Sequence, residues 1–122
     1  MRKEYFDQVT VQVEDEAAYE MTLTYYLLTS KVKEECGDFC VYGVEIQKES
    51  TDTAPDSGAE RKVIKDLFFK KSEAMEFLRL ISQGGVTPIG LKYVVKDYVY
   101  DKIHQLSTLG EHKMTENMVA VL

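Results

Sequence analysis

The side chains with the most reactive chemistry in this sequence are two thiols, Cys36 and Cys40, which flank Gly37-Asp38-Phe39. A structural zinc site needs four ligands, often as two close pairs, and no second pair of Cys or His lies nearby. The spacing is also one residue longer than that of a redox Cys-x-x-Cys motif. We interpret the pair as ordinary thiols at a hairpin tip, with incidental metal binding or redox sensing as the alternative.

A second polar group is formed by Asp97, Asp101 and His104, which are spaced four and three residues apart in a helical segment. Carboxylate and imidazole groups at such spacings lie on one helix face and can share a divalent cation. Three ligands from one straight helix cannot readily surround an ion, and the sequence offers no further ligand. We therefore expect a solvated face and no metal site.

Two aromatic residues on the same helix, Tyr93 and Tyr100, are seven residues apart and lie opposite the apolar stripe. Paired exposed aromatics are frequent in protein interfaces. We predict an interaction surface of Tyr93 and Tyr100, with Asp97 and His104 as its polar rim, and a homodimer as its simplest product. The alternatives are two solvated tyrosines, or rings covered by the apolar C-terminal end, residues 118–122.

The sequence predicts no catalytic residue and no cofactor. Both histidines, His104 and His112, come late in the chain and neither adjoins a candidate nucleophile, although proximity of a cysteine to His104 in the fold stays open. Gly84-Gly85 follows a helix and lacks the pattern of a phosphate-binding loop.

Composition limits the partners. The chain has 122 residues, which suits one domain, and a formal net charge of −6 with scattered basic residues, which disfavours nucleic acid. No apolar run approaches the roughly 18 residues of a membrane span, and the first residues lack the apolar stretch of a secretory signal. We expect a cytoplasmic protein with reduced thiols and no membrane partner.

The elements that must position these residues follow from hydrophobic periodicity. Alternating apolar residues predict strands over 5–13, 20–30, 39–48 and 61–69, joined by a charged turn at 31–38 and a loop at 49–59. Consecutive strands with short links indicate an antiparallel meander.

Two helices follow in the sequence. The first is predicted over 72–83, capped by Ser72, with a core stripe of Ala74, Phe77, Leu78 and Ile81 and an end at Gly84-Gly85. The second begins at Thr87-Pro88. The predicted fold class is α+β, a four-stranded antiparallel meander followed by two helices packed on one face of the sheet. We expect a single domain over 1–106 and a C-terminal tail over 107–122, either flexible or docked.

Several segments carry a family resemblance: Tyr25-Tyr26-Leu27-Leu28, Tyr42-Gly43-Val44-Glu45-Ile46, and Val86-Thr87-Pro88-Ile89-Gly90-Leu91 leading into Val94-Val95-Lys96-Asp97-Tyr98. Over residues 20–100 the chain resembles an uncharacterised domain-of-unknown-function family of small proteins from anaerobic Gram-positive (clostridial-type) bacteria. The resemblance implies no activity and no site residue.

Three functional hypotheses follow. The first is a small non-enzymatic protein that acts through protein contacts, favoured by the missing motifs and the aromatic face of the second helix. The second is a small-molecule-binding module whose cleft between sheet and helices is lined by Tyr25, Tyr42 or Tyr98. The third is a cysteine- or metal-dependent enzyme.

Overall fold

The fold is a four-stranded antiparallel sheet followed by two helices, which confirms the predicted α+β class. The computed structural model describes residues 1–14, 19–50 and 59–108, with side chains described as far as residue 105. The elements in chain order are β1 (Arg2–Val13), β2 (Tyr19–Glu34), β3 (Gly37–Ser50), β4 (Glu60–Phe68), α1 (Lys71–Gln83) and α2 (Leu91–Thr108). Most of the predicted loop over 49–59 and of the predicted tail over 107–122 lies outside the described residues.

The strands pair in sequence order, β1-β2-β3-β4, and every pair is antiparallel. The predicted turn over 31–38 is wrong, because β2 continues to Glu34 and only two residues separate it from β3. Cross-strand contacts account for this extension: Lys31 lies 3.4 Å from the carboxylate of Asp38, and Val32 is opposite Phe39. Charged residues at these positions thus support strand pairing rather than a loop.

The core lies between one face of the sheet and α1. Helix α1 crosses all four strands, and its predicted stripe of Ala74, Phe77, Leu78 and Ile81 is buried as expected. The sheet contributes inward-facing residues of β2 and β3, which alternate along each strand as a half-buried sheet requires. These buried residues are Leu23, Tyr25, Leu27, Val44 and Ile46. The ring of Phe68 at the end of β4 packs 5.5 Å from that of Phe77.

Strand β4 carries a bulge opposite Gly43. Between the pairs Val44 with Ile64 and Tyr42 with Phe68, β3 has one residue and β4 has three. The middle residue of the bulge, Asp66, has φ 56°, a conformation that Asp tolerates better than most residues. A Cβ at Gly43 would overlap the Ile64 carbonyl oxygen and lie 2.8 Å from the Cα of Lys65. Glycine is therefore required where the bulge crosses β3.

The two edges of the described sheet differ in chemistry. The edge strand β4 has five charged residues, Glu60, Arg61, Lys62, Lys65 and Asp66, and its bulge. The other edge strand, β1, has a register shift near Tyr5 and Asp7, but its second half, residues 8–13, is uncharged and regular.

Helix α1 begins one residue earlier than predicted, and Ser72 is not its cap. The N-cap position belongs to Lys70, which is extended and makes no side-chain cap hydrogen bond. Only two residues, Phe69 and Lys70, lie between the end of β4 and the start of the helix. At the other end Gly84 is in the right-handed region, and Gly85 takes the left-handed conformation, φ 61°. The two-glycine stop is as predicted, but only the second glycine uses its conformational freedom.

Helix α2 begins at Leu91, not at Thr87-Pro88. Residues 88–90 form a turn, and the amides of Tyr93 and Val94 both donate to the carbonyl oxygen of Gly90. The chain forms two compact units, Met1–Ile89 and Gly90–Leu122, and α2 belongs to the second. Within the described residues, no helix is both long enough and apolar enough to span a membrane. The expectation of one domain over 1–106 stays a prediction.

Candidate functional site

The exposed face of α2 is defined by Tyr93 and Tyr100, which the structure leaves 56% and 67% exposed. Helical geometry separates them by two turns, about 10 Å along the axis, on the same side of the helix. On the other side Leu91 is fully buried, and Val94 and Val95 are half-buried. The predicted exposure of both rings is therefore found, whereas their role in binding stays a prediction.

Neighbouring side chains hold each ring. The imidazole of His104 stacks on Tyr100 with ring centroids 6.0 Å apart and an interplanar angle of 7°. The ammonium group of Lys92 lies 5.0 Å from the ring centroid of Tyr93. Both contacts place a polar group against an aromatic face and restrict the rotation of the ring. The structure thus brings His104 to Tyr100, but Tyr93 and Tyr100 remain two turns apart.

Charged residues border the line that joins the two rings. Lys96 and Asp97 are both exposed and lie about 50° on either side of this line at 100° per residue. Asp101 is about 90° from it on the Asp97 side. The exposed face is therefore an aromatic line with a cation on one flank and an anion on the other.

The two cysteines do not form a joint site. Cys36 is exposed in the β2–β3 turn and Cys40 is half-buried within β3, and both are free thiols. Four residues of extended chain separate them by about 13 Å, beyond the Cα separation of a disulfide. Among the described residues, no three Cys, His, Asp or Glu side chains are grouped so that they could hold a metal ion. His112 lies outside the described residues.

Tyr25, proposed from the sequence to line a ligand cleft, is fully buried. Its hydroxyl donates a hydrogen bond of 2.9 Å to the carbonyl oxygen of Val86, just after the two-glycine stop. Burial, and to a lesser extent the negative charge of Asp7, raises the pKa of this hydroxyl to about 12. The hydroxyl therefore connects β2 to the segment that follows α1. Its proton is used in this internal hydrogen bond and is not offered to a ligand.

A polar cluster on the sheet face opposite α1 was missed by sequence reasoning. The carboxylate of Glu45 in β3 is only 2% exposed. One oxygen, Oε2, accepts hydrogen bonds from Lys3 at 3.1 Å and from Gln47 at 2.7 Å, and Oε1 lies 3.5 Å from the guanidinium of Arg61. The Lys3 ammonium also lies 4.8 Å from the ring centroid of Tyr26. One carboxylate therefore connects β1, β3 and β4.

Alternation along β3 sets Glu45 on the face opposite Val44 and Ile46, where a charged side chain is ordinarily exposed. The residues that cover it belong to different strands, and Lys3 comes from 42 positions away. Only the pairing register could have revealed the cluster, since it sets Glu45 opposite Tyr26 in β2 and Val63 in β4. Both carboxylate oxygens of Glu45 already have partners within the sheet, so we interpret the cluster as stabilising the sheet.

Comparison with known proteins identifies one family. A model described as a family of unknown function, DUF6514, matches residues 7–101. This range contains all the segments that carried the sequence resemblance, and it includes Tyr93, Asp97 and Tyr100 but not His104. No curated protein and no solved structure matches the chain.

Proposed function

Since this chain belongs to the DUF6514 family, whose function is unknown, we propose that it acts by binding another protein chain through the exposed face of α2, and not by catalysis. The single observation that carries the proposal is the exposure of Tyr93 and Tyr100 on one side of the helix, 56% and 67%. A single exposed aromatic side chain is ordinary on a protein surface and needs no explanation. Two rings on the same side of a helix together offer a partner a larger apolar contact area.

The polar surroundings of the rings support a protein partner. Interface hot spots combine aromatic anchors with charged or polar residues that exclude water around them. Here His104 and Lys92 fix the rings, while Lys96 and Asp97 offer charges of both signs. A small apolar ligand would not interact with charged side chains of both signs beside the rings. The alternative cleft has less support, because the Tyr25 hydroxyl is already donated within the chain.

The proposal includes a setting, the cytoplasm of a bacterium of the anaerobic Gram-positive type. Its bacterial part rests on the sequence resemblance described above. Its compartment is the expectation drawn from the sequence, under which Cys36 and Cys40 are reduced thiols.

Site-specific photo-crosslinking tests the surface. A photoreactive phenylalanine analogue replaces Tyr93 or Tyr100 in the full chain, and Tyr5, which is 63% exposed in β1, is the matched control. The chain is irradiated both as purified protein and in the cells that produce it. We expect one adduct of defined mass from positions 93 and 100 and none from position 5.

The outcomes separate the cases. An adduct of twice the chain mass identifies a second copy, and an adduct of another mass identifies a different protein. The absence of an adduct from positions 93 and 100, or equal crosslinking from position 5, would refute the proposed surface.

A further inference from the structure

The exposed face of α2 is self-complementary in one orientation only. Tyr93 and Tyr100 lie on its central line, with Lys96 on one flank and Asp97 on the other at nearly the same height along the axis. When two copies of this face are paired, the relative direction of the helices decides which charge lies beside Lys96 and which lies beside Asp97.

We propose that the protein bound by this face is a second copy of the chain, with the two α2 helices running parallel about a two-fold axis. This inference rests on the proposed function and specifies its partner. In a parallel pair Tyr93 meets Tyr93, Tyr100 meets Tyr100, and Lys96 of each copy lies beside Asp97 of the other. The symmetry repeats the ion pair on both flanks.

An antiparallel pair fails the same comparison. The two-fold axis would then pass between Tyr93 and Tyr100, so that Asp97 lies beside Asp97 on one flank and Lys96 beside Lys96 on the other. Like charges placed opposite each other in an interface are unfavourable and exclude that orientation. Parallel pairing converts both unfavourable contacts into favourable ones without moving a side chain to another face.

The charge of the whole chain also favours α2 as the surface through which two copies meet. The formal net charge is −6, but α2 contains three lysines and two aspartates. The helix that would form the contact therefore does not carry the net negative charge of the chain.

A charge exchange on the full chain tests the pairing, with dimer dissociation measured by analytical ultracentrifugation. Asp97→Lys should raise the dissociation constant roughly tenfold or more, because both ion pairs become repulsive. The double variant Lys96→Asp/Asp97→Lys should restore the parental value. Asp101→Lys, the same change of charge on the same helix but about 90° from the aromatic line, is the control and should have a much smaller effect.

Orientation is tested separately with a disulfide. In a Cys36→Ser/Cys40→Ser background, His104→Cys should form a dimer disulfide on oxidation, because parallel helices bring the two 104 positions together. In an antiparallel pair these positions would be about 22 Å apart along the axis. This variant leaves Lys96 and Asp97 intact, so it is informative even if a charge variant fails to fold by circular dichroism.

Three results would overturn the inference: a parent chain that is monomeric at high concentration, an Asp97→Lys variant with parental affinity, or a double variant that is not restored. A monomeric parent that still gives adducts of another mass from positions 93 and 100 would remove the second copy and retain the proposed surface. Loss of those adducts as well would remove both.

Discussion

Replacement of Tyr25 by Phe tests how the sheet is joined to the segment after α1. The variant keeps the buried ring and removes only the hydroxyl that donates to the Val86 carbonyl oxygen at 2.9 Å. That carbonyl loses its partner in a partly buried site, which costs about 1–2 kcal/mol. Urea denaturation at neutral pH should show this decrease in the free energy of unfolding with an unchanged m-value.

At alkaline pH we expect the unfolding free energy of the parent to fall to that of the Tyr25→Phe variant. The pKa of Tyr25 is raised from 10.0 to about 12 in the folded chain, so the folded state holds the proton more tightly than the unfolded state. The resulting stability is complete below pH 10 and is lost as pH rises through the interval from 10 to 12. Linkage gives a loss of about 1.4 kcal/mol at about pH 11.

The parent should therefore lose its advantage over Tyr25→Phe near pH 11. The other tyrosines and the lysines titrate in both proteins, so the difference between the two denaturation curves isolates Tyr25. The reasoning would be refuted if the difference in unfolding free energy stayed constant from about pH 8 to about pH 11. A Phe variant as stable as the parent at neutral pH would refute the hydrogen bond itself.

Three further predictions concern the sheet and its connections. Gly43→Ala should lower the free energy of unfolding by about 1–3 kcal/mol, because its Cβ would overlap the backbone of the β4 bulge. At Gly37 a Cβ would meet no atom within 4 Å but φ is 129°, so Gly37→Ala should destabilise through backbone strain alone; thermal denaturation measures both variants. Replacement of residues 50–59 by a short Asn-Gly turn should leave Tm nearly unchanged, and a drop of several degrees would show that the loop contributes to stability. The variant Cys36→Ser/Cys40→Ser should fold normally and bind no less zinc than the parent by elemental analysis, whereas stoichiometric zinc present in the parent alone would contradict our interpretation of the thiols.

Local patterns were enough to predict the order of the elements and the core of α1. The alternation of Leu23, Tyr25 and Leu27 and the helical spacing of Ala74, Phe77 and Ile81 are encoded within single segments, and all six side chains are buried. Strand ends and helix starts depend on contacts between segments. This is why Lys31, read as part of a turn, lies in a strand that pairs with Asp38.

The site residues show the same division. The exposure of Tyr93 and Tyr100 follows from the periodicity of one helix, so the sequence was sufficient to predict it. Burial of Glu45 depends on the register that places β4 beside β3 and brings Lys3 of β1 across β2 to the carboxylate, and no property of the residues next to it signals this. Side chains that are covered by distant segments are the ones that sequence patterns miss.

Because the two edges of the described sheet differ, strands from other molecules would add to one edge more readily than to the other. Strand addition from another molecule requires a regular row of free backbone groups and is discouraged by charges and bulges. Strand β4 has both deterrents, whereas residues 8–13 of β1 have neither. In heated or concentrated samples, ordered aggregates of this chain would therefore nucleate at β1, and resistance to aggregation would depend on six residues that add little to the core.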